Sequence, residues 1–205
     1  EALGQTIYMV FFSTLFASVL GFILGIIVTV TSPTGLRPNI FIYKSLDVII
    51  NVLRSFPFII LIVFIIPLTR AIVGTPIGET AAIVPLTIAA APFVARIIES
   101  ALKEVDPGVI EAAKSFGASN LQIIFKVMLK EAVPAIISGL TLTIINIIGY
   151  SAMAGSVGAG GLGKVAISYG YQRYQTDVMI VTVIILIIMV QGLQSLGNYL
   201  YKKLS

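Results

Sequence analysis

Three stretches of this chain run for more than twenty residues without a charge, and nothing else limits its folding as strongly. Thr6 to Thr31 is one of them. At 1.5 Å per residue it makes roughly 39 Å of helix, longer than the hydrocarbon core of a bilayer. A second uncharged stretch lies between Ala132 and Gly163, and a third between Val178 and Tyr199. In water such runs have nowhere to bury themselves; in lipid they are transmembrane helices, the one open-chain structure that satisfies every backbone group internally.

Composition points the same way. Of 205 residues 58% are hydrophobic and 11% charged, less than half the charge of an ordinary soluble domain, which is about 25%. The length supports one integral bundle, residues 1–205, with no room for a second folded domain. With no cysteine and no histidine, disulfides, thiolate catalysis, histidine metal ligation and an imidazole switch are excluded. Tryptophan is absent too, leaving tyrosine for any interfacial belt. Nothing resembles a nucleic-acid-binding surface. The first apolar run is too long for a signal peptide, and the start at Glu1-Ala2 without an initiator methionine implies that a few residues have been trimmed.

The expected fold class is therefore an all-α membrane protein, a bundle of five transmembrane helices at about 6–31, 41–68, 80–102, 135–153 and 178–199, with a polar loop at 103–134. In the first span Gly21 and Gly25 form a G-x-x-x-G spacing that lets another helix approach closely. The second span carries Asp47 and Arg54, and Pro57 interrupts it. Either both charges sit at the inner end and snorkel, or the run Arg54 to Phe58 bounds a translocation path. Pro85 and Pro92 break the third span and call for enclosing neighbours, while Arg96 and Glu99 share a face and can pair. A short outer turn is expected from Arg70 to Glu79. The fourth span holds Ser138, Thr141, Thr143, Asn146, Tyr150 and Ser151, which bond across helices or wet a path. The glycine-rich stretch after it adds a sixth crossing only if it re-enters the membrane.

Lysine and arginine set the orientation. With the polar loop inside, the inner set is Arg37, Lys44, Arg54, Arg96, Lys103, Lys114, Lys126, Lys130, Lys202 and Lys203, against Arg70, Lys164 and Arg173 outside. The N-terminus is then external and the C-terminus cytoplasmic.

The loop has its own local order. Asp106-Pro107 is a helix start, Gly117 a left-handed stop, and Ser119 with Gln122 a capping box for a second helix, making a helix-turn-helix. It is a solvated connector or a docking element whose small Ala112 and Ala113 enter a groove on a partner. Glu111-Ala112-Ala113 through Phe116 and Gly117, with Val127-Met128-Leu129 about ten residues on, resembles the coupling loop of ABC importer permeases. Lys130 stands where that pattern has proline, which leaves the end of the second helix open. The resemblance implies that Glu111, Ala112, Ala113, Phe116 and Gly117 contact a separate cytosolic ATPase subunit.

Gly158, Gly160 and Gly163 satisfy G-x-G-x-x-G, and Gly158, Gly163 and Lys164 mimic the start of a P-loop. Neither is a nucleotide site: Val165 offers no hydroxyl to Mg²⁺, and a membrane helix rather than a strand precedes the glycines. They allow an unwound, closely packed backbone at the outer end of a pathway. The stretch from Gly149 to Tyr174, with that from Pro92 to Ser119, is similar to the methionine-uptake branch of ABC permeases over nearly the whole chain. That resemblance implies a homodimer in the bacterial inner membrane, two cytosolic ATPase subunits holding ATP and Mg, and an external methionine-binding lipoprotein. No cofactor is then expected in this chain. The residues alone name only a small solute; the resemblance names methionine, of either enantiomer. Tyr150, Ser151, Met153, Gly158 and Gly160 are the expected gate; a thioether suits the soft wall of Met153, which equally well packs. Against an ABC permease stand a proton- or sodium-coupled carrier, which needs ionisable groups at mid-membrane, and a structural scaffold, which leaves the loop idle.

Overall fold

The computed structural model describes residues 1–204. Helix α1 (Ala2–Thr31) is unbroken. Thr29 and Thr31 donate back to Gly25 O and Ile27 O at 2.8 and 2.7 Å, Ser32 Oγ closes the end on Thr29 O at 2.9 Å, and Pro33 follows. A tight turn leads to Asn39, whose side chain accepts from Ile42 N at 3.2 Å and so caps α2 (Ile40–Ser55).

Pro57 then has a larger effect than a kink. It forces Phe56 into extended backbone at φ −75°, ψ 123°, and α3 (Phe58–Phe64) leaves at 105° to α2. The expected single span from Phe41 to Leu68 is thus a broken pair. The chain also stays helical beyond it, in α4 (Ile66–Val73), which carries Arg70 and ends at Gly74 with φ +85°. The turn expected from Arg70 to Glu79 shrinks accordingly to residues 74–78.

Helix α5 (Glu79–Lys103) is the axis of the bundle. It continues through Pro85 and Pro92 because neighbours enclose it: α1, α2, α4 and α8 all pack on it. Gly21 and Gly25 bring α1 tightly against it, since a Cβ on Gly25 would lie 2.6 Å from Ile98 Cβ and one on Gly21 would overlap Val94. In lipid this backbone proximity replaces the hydrophobic drive that water supplies.

After α6 (Pro107–Ser115), α7 (Asn120–Gln122), a wider π-turn from Ile123 to Met128 and α8 (Leu129–Ser156) run on as a single 37-residue helix. The second loop helix and the fourth span, expected as separate pieces, are therefore one rod. Pro134 lies inside it and removes one N–H without stopping it, so the lysine at 130 marks no helix end. Next comes the short α9 (Gly161–Val165), a π-turn from Ala166 to Tyr171, and α10 (Thr176–Leu204). The glycine stretch, expected as an unwound and closely packed backbone, is largely interior: Gly161, Leu162 and Gly163 are buried. With five residues α9 is too short for a sixth crossing. Among the described residues four helices, with the bent α2–α3 pair as a fifth, are long and apolar enough to cross a membrane.

Candidate functional site

The loop end of the bundle is assembled from local signals. Asp106 Oδ1 accepts from Gly108 N at 2.7 Å to start α6, and Gly117 at φ +78° turns the chain after it. Ser119 N then donates to Gln122 Oε1 at 2.8 Å while Gln122 N donates to Ser119 Oγ, closing the capping box. No residue of α6 is buried. Its faces differ nonetheless. Ile110 and Ala113 lean on a core of Leu102, Val105, Ile123, Ile124 and Met128. Glu111 and Lys114 border a cavity of about 310 Å³ shared with the α1–α2 turn. Val109, Ala112 and Phe116, spaced three and four apart, form an apolar stripe facing away, and Phe116 is 90% exposed. Leu121 and Phe125 extend the exposed apolar surface. Sequence reasoning grouped Ala113 with Ala112; the fold puts Ala113 against the protein's own core. Val109 was missed, although its spacing to Ala112 and Phe116 marks one helical face.

At the opposite end the chain is held by contacts distant in sequence. Gly155 and Gly163 let the end of α8 cross the start of α9 backbone to backbone: a Cβ on Gly155 would lie 2.6 Å from Gly163 C, and one on Gly163 2.5 Å from Ala152 Cα. Gly158, at φ +99°, accepts on its carbonyl from Gly78 N at 2.9 Å. Gly160, at φ +92°, sits where a side chain would meet Gln5. The first amides of α9 are capped across the bundle, Gly161 N donating to Gln5 Oε1 and Leu162 N to Thr6 Oγ1, both at 2.9 Å. Nothing in the spacing of Gln5 and Thr6 points to this; their only signal is polarity at the head of an apolar run. Tyr150 stacks on Phe58 with ring centroids 4.7 Å apart. Ser151 is buried and donates to Ile148 O, while Met153 is half exposed on α8.

Between the two ends α5 and α8 flank an open cavity of about 700 Å³. Ser138, Thr143 and Asn146 from α8 line it, with Arg54 and Phe93, and Glu104 and Glu131 border it as well. Beside it a charge cluster joins α2 to α5. Arg96 pairs with Asp47 and with Glu99, the latter at 2.5 Å, and donates to Asn51 Oδ1 at 2.9 Å; Lys103 Nζ reaches Glu99 at 2.6 Å. Asp47 therefore lies in an ion pair rather than snorkelling alone, and the expected Arg96–Glu99 pair is part of a larger set.

Residues 17–205 match the family described as binding-protein-dependent transport system inner membrane component. The chain belongs to that family. Among curated relatives, this permease is 52% identical over 202 residues to the probable D-methionine transport system permease protein MetI of Vibrio cholerae, covering 98% of this chain and 90% of that one. It is 47% identical over 199 residues to the corresponding protein of Pasteurella multocida, covering 97% and 92%. Among solved structures the permease superposes with a TM-score of 0.98 and 45% identity on a chain of the inward-facing MetNI methionine ABC transporter, over 100% of this chain and 94% of that one. It is thus an ABC importer permease of the methionine-uptake type, an all-α inner-membrane transport subunit.

Proposed function

We propose that this permease forms the membrane pathway by which methionine enters the cytoplasm, as a homodimer driven by two separate ATPase subunits that bind ATP and Mg. The observation that carries the ATPase coupling is the stripe of Val109, Ala112 and Phe116: a capped helix showing a 90% exposed phenylalanine is a poor solvated connector and a good key for a groove. The methionine assignment is supported by the named relatives. In this reading α6 faces the cytosol, the N-terminus is external and the C-terminus cytoplasmic, in keeping with the distribution of lysine and arginine. A binding lipoprotein delivers substrate at the end where α9 turns.

The mechanism follows from continuity of structure. Movement of α6 with its ATPase is passed to the core it leans on, which includes Ile123, Ile124 and Met128 of the 37-residue rod. At about 1.5 Å per residue that rod spans roughly 55 Å. Its far end bears Tyr150, Ser151 and Met153, and the Gly155–Gly163 crossing couples it to Gly158 and Gly160. A tilt of the rod opens one end while closing the other, and two copies about a shared axis give alternating access. A carrier coupled to protons or sodium requires a free carboxylate at mid-bundle; Asp47 and Glu99 are both held by cations, and Glu104 and Glu131 lie at the loop end.

The test is uptake of labelled methionine, against other amino acids, by vesicles holding the permease with its ATPase and binding protein. ATP-dependent methionine uptake that Phe116→Asp abolishes, together with ATPase co-purification, supports the reading. Uptake persisting in Phe116→Asp with the ATPase fully retained would refute the coupling role of α6.

A further inference from the structure

Arg54 is a cation the fold leaves without an anion. Lys103 Nζ lies 5.7 Å from the Tyr43 ring, which marks the level at which α2 and α5 meet near the loop end. Eleven residues further along α2, the guanidinium of Arg54 rests over Phe93, ten residues back along α5, with Cζ 5.1 Å from the ring centroid. At 1.5 Å per residue this is about 16 Å from that level, near the middle of the 25-residue α5, a helix long and apolar enough to span the bilayer. Arg54 therefore stands near the mid-length of α5 and not at its loop end. Among the described residues it forms no ion pair: Asp47 and Glu99 are engaged by Arg96 and Lys103. Glu104 adjoins Lys103 at the loop end, and Glu131 lies seven residues nearer that end than Ser138.

What Arg54 does face is the 700 Å³ cavity, within the range of small-molecule sites, about 300 to 1,000 Å³. Ser138 and Asn146 line the same space, both are exposed, and among the described residues neither side chain makes a hydrogen bond. An arginine, an amide and a hydroxyl without partners thus converge on one volume with apolar walls at Phe93, Ile97 and Leu142. An unpaired charge at membrane depth is costly and persists where it meets a ligand or a watery path. Guanidinium matches carboxylate in planar, two-point fashion.

We propose that Arg54 binds the α-carboxylate of the transported amino acid in this cavity, with Asn146 and Ser138 completing the polar side and Phe93, Ile97 and Leu142 receiving the side chain. This rests on the reading of the chain as a methionine pathway and adds a position where substrate pauses below the Tyr150 level before release. It also gives the pathway a preference that the apolar walls cannot supply: the carboxylate is demanded, the side chain only accommodated.

The experiment uses the permease assembled with its ATPase subunits in lipid nanodiscs, without binding protein, irradiated with a diazirine analogue of methionine and mapped by peptide mass spectrometry. Adducts are expected around Phe93, Ile97, Leu142 and Asn146, displaced by excess methionine and at least tenfold less well by methioninamide, which lacks the carboxylate. Arg54→Gln should lower these adducts at least tenfold and Arg54→Lys by less, with assembly checked by ATPase co-purification. Equal displacement by methionine and methioninamide in the unaltered protein overturns the assignment without any variant, as does undiminished labelling in Arg54→Gln. Methionine uptake by the unaltered complex is measured alongside in sealed vesicles with the ATPase and the binding protein. Uptake without carboxylate-selective labelling defeats only the Arg54 site, whereas absence of methionine uptake defeats the proposed function itself.

Discussion

The two ends of the bundle are built by opposite means. Helix α6 depends on its own neighbours in sequence: its start, its stop and the cap of the next helix all come from residues 106 to 122. None of its residues is buried, and it presents Phe116 outward. The α8–α9 crossing depends on residues far apart, with Gln5 and Thr6 capping amides 156 positions later and Gly78 reaching Gly158. The surface proposed to meet the ATPase needs a shape that survives alone, and local hydrogen bonds provide it. A crossing deep in one protomer can draw on the whole chain.

Substitutions should separate the two ends. The largest effect is expected from Gly163→Val, because a Cβ there enters the backbone of α8 at Ala152. Overpacking against backbone that cannot yield should cost about 3 kcal/mol or more, read as a large loss of thermal stability and of assembled protein. A wild-type melting curve would mean that the crossing is not tight. Next is Phe116→Asp, which should weaken ATPase binding by about 2 kcal/mol, near thirtyfold, and leave the melting temperature of the permease alone unchanged. A fall in both would show that Phe116 serves this chain's own fold.

Thr6→Val removes the acceptor for Leu162 N and leaves a buried amide unpaired, at about 1 to 2 kcal/mol. Faster amide exchange at Leu162 with α6 unaltered would bear this out; unchanged exchange would make the bond dispensable. Smallest is Asp106→Ala, a lost N-cap worth about 1 kcal/mol. Its effect should be confined to exchange within α6, and spread to α9 would break the distinction between the ends.

The same contrast explains what could be read in advance. Asp106, Gly117, Ser119 and Gln122 act on residues within four positions, so their roles in the loop follow from spacing alone. Arg96 and Glu99 were legible for the same reason, but Asp47, 49 positions away, joins them only once α2 packs on α5. Pro57 could be seen as an interruption, while the 105° turn it permits depends on where α3 finds its neighbours. At the proposed gate, the glycines pointed to close backbone approach; that Gly155 and Gly163 meet, and that Gln5 lies over Gly160, required the fold. Ala113 was grouped with Ala112 because a sequence does not say which side of a short helix its own protein will use.

The hydrogen bonds from Gln5 and Thr6 also bear on how the protein is made. When α1 leaves the ribosome, the amides it will cap do not yet exist. At about 5 to 20 residues per second, the 156 positions between Thr6 and Leu162 take about 8 to 30 s to synthesise. For that time the polar head of the first helix must be satisfied by water or by the insertion machinery. The crossing closes only after α1, α5 and α8 have all been made, so the cap on α9 cannot guide the insertion of the first helix.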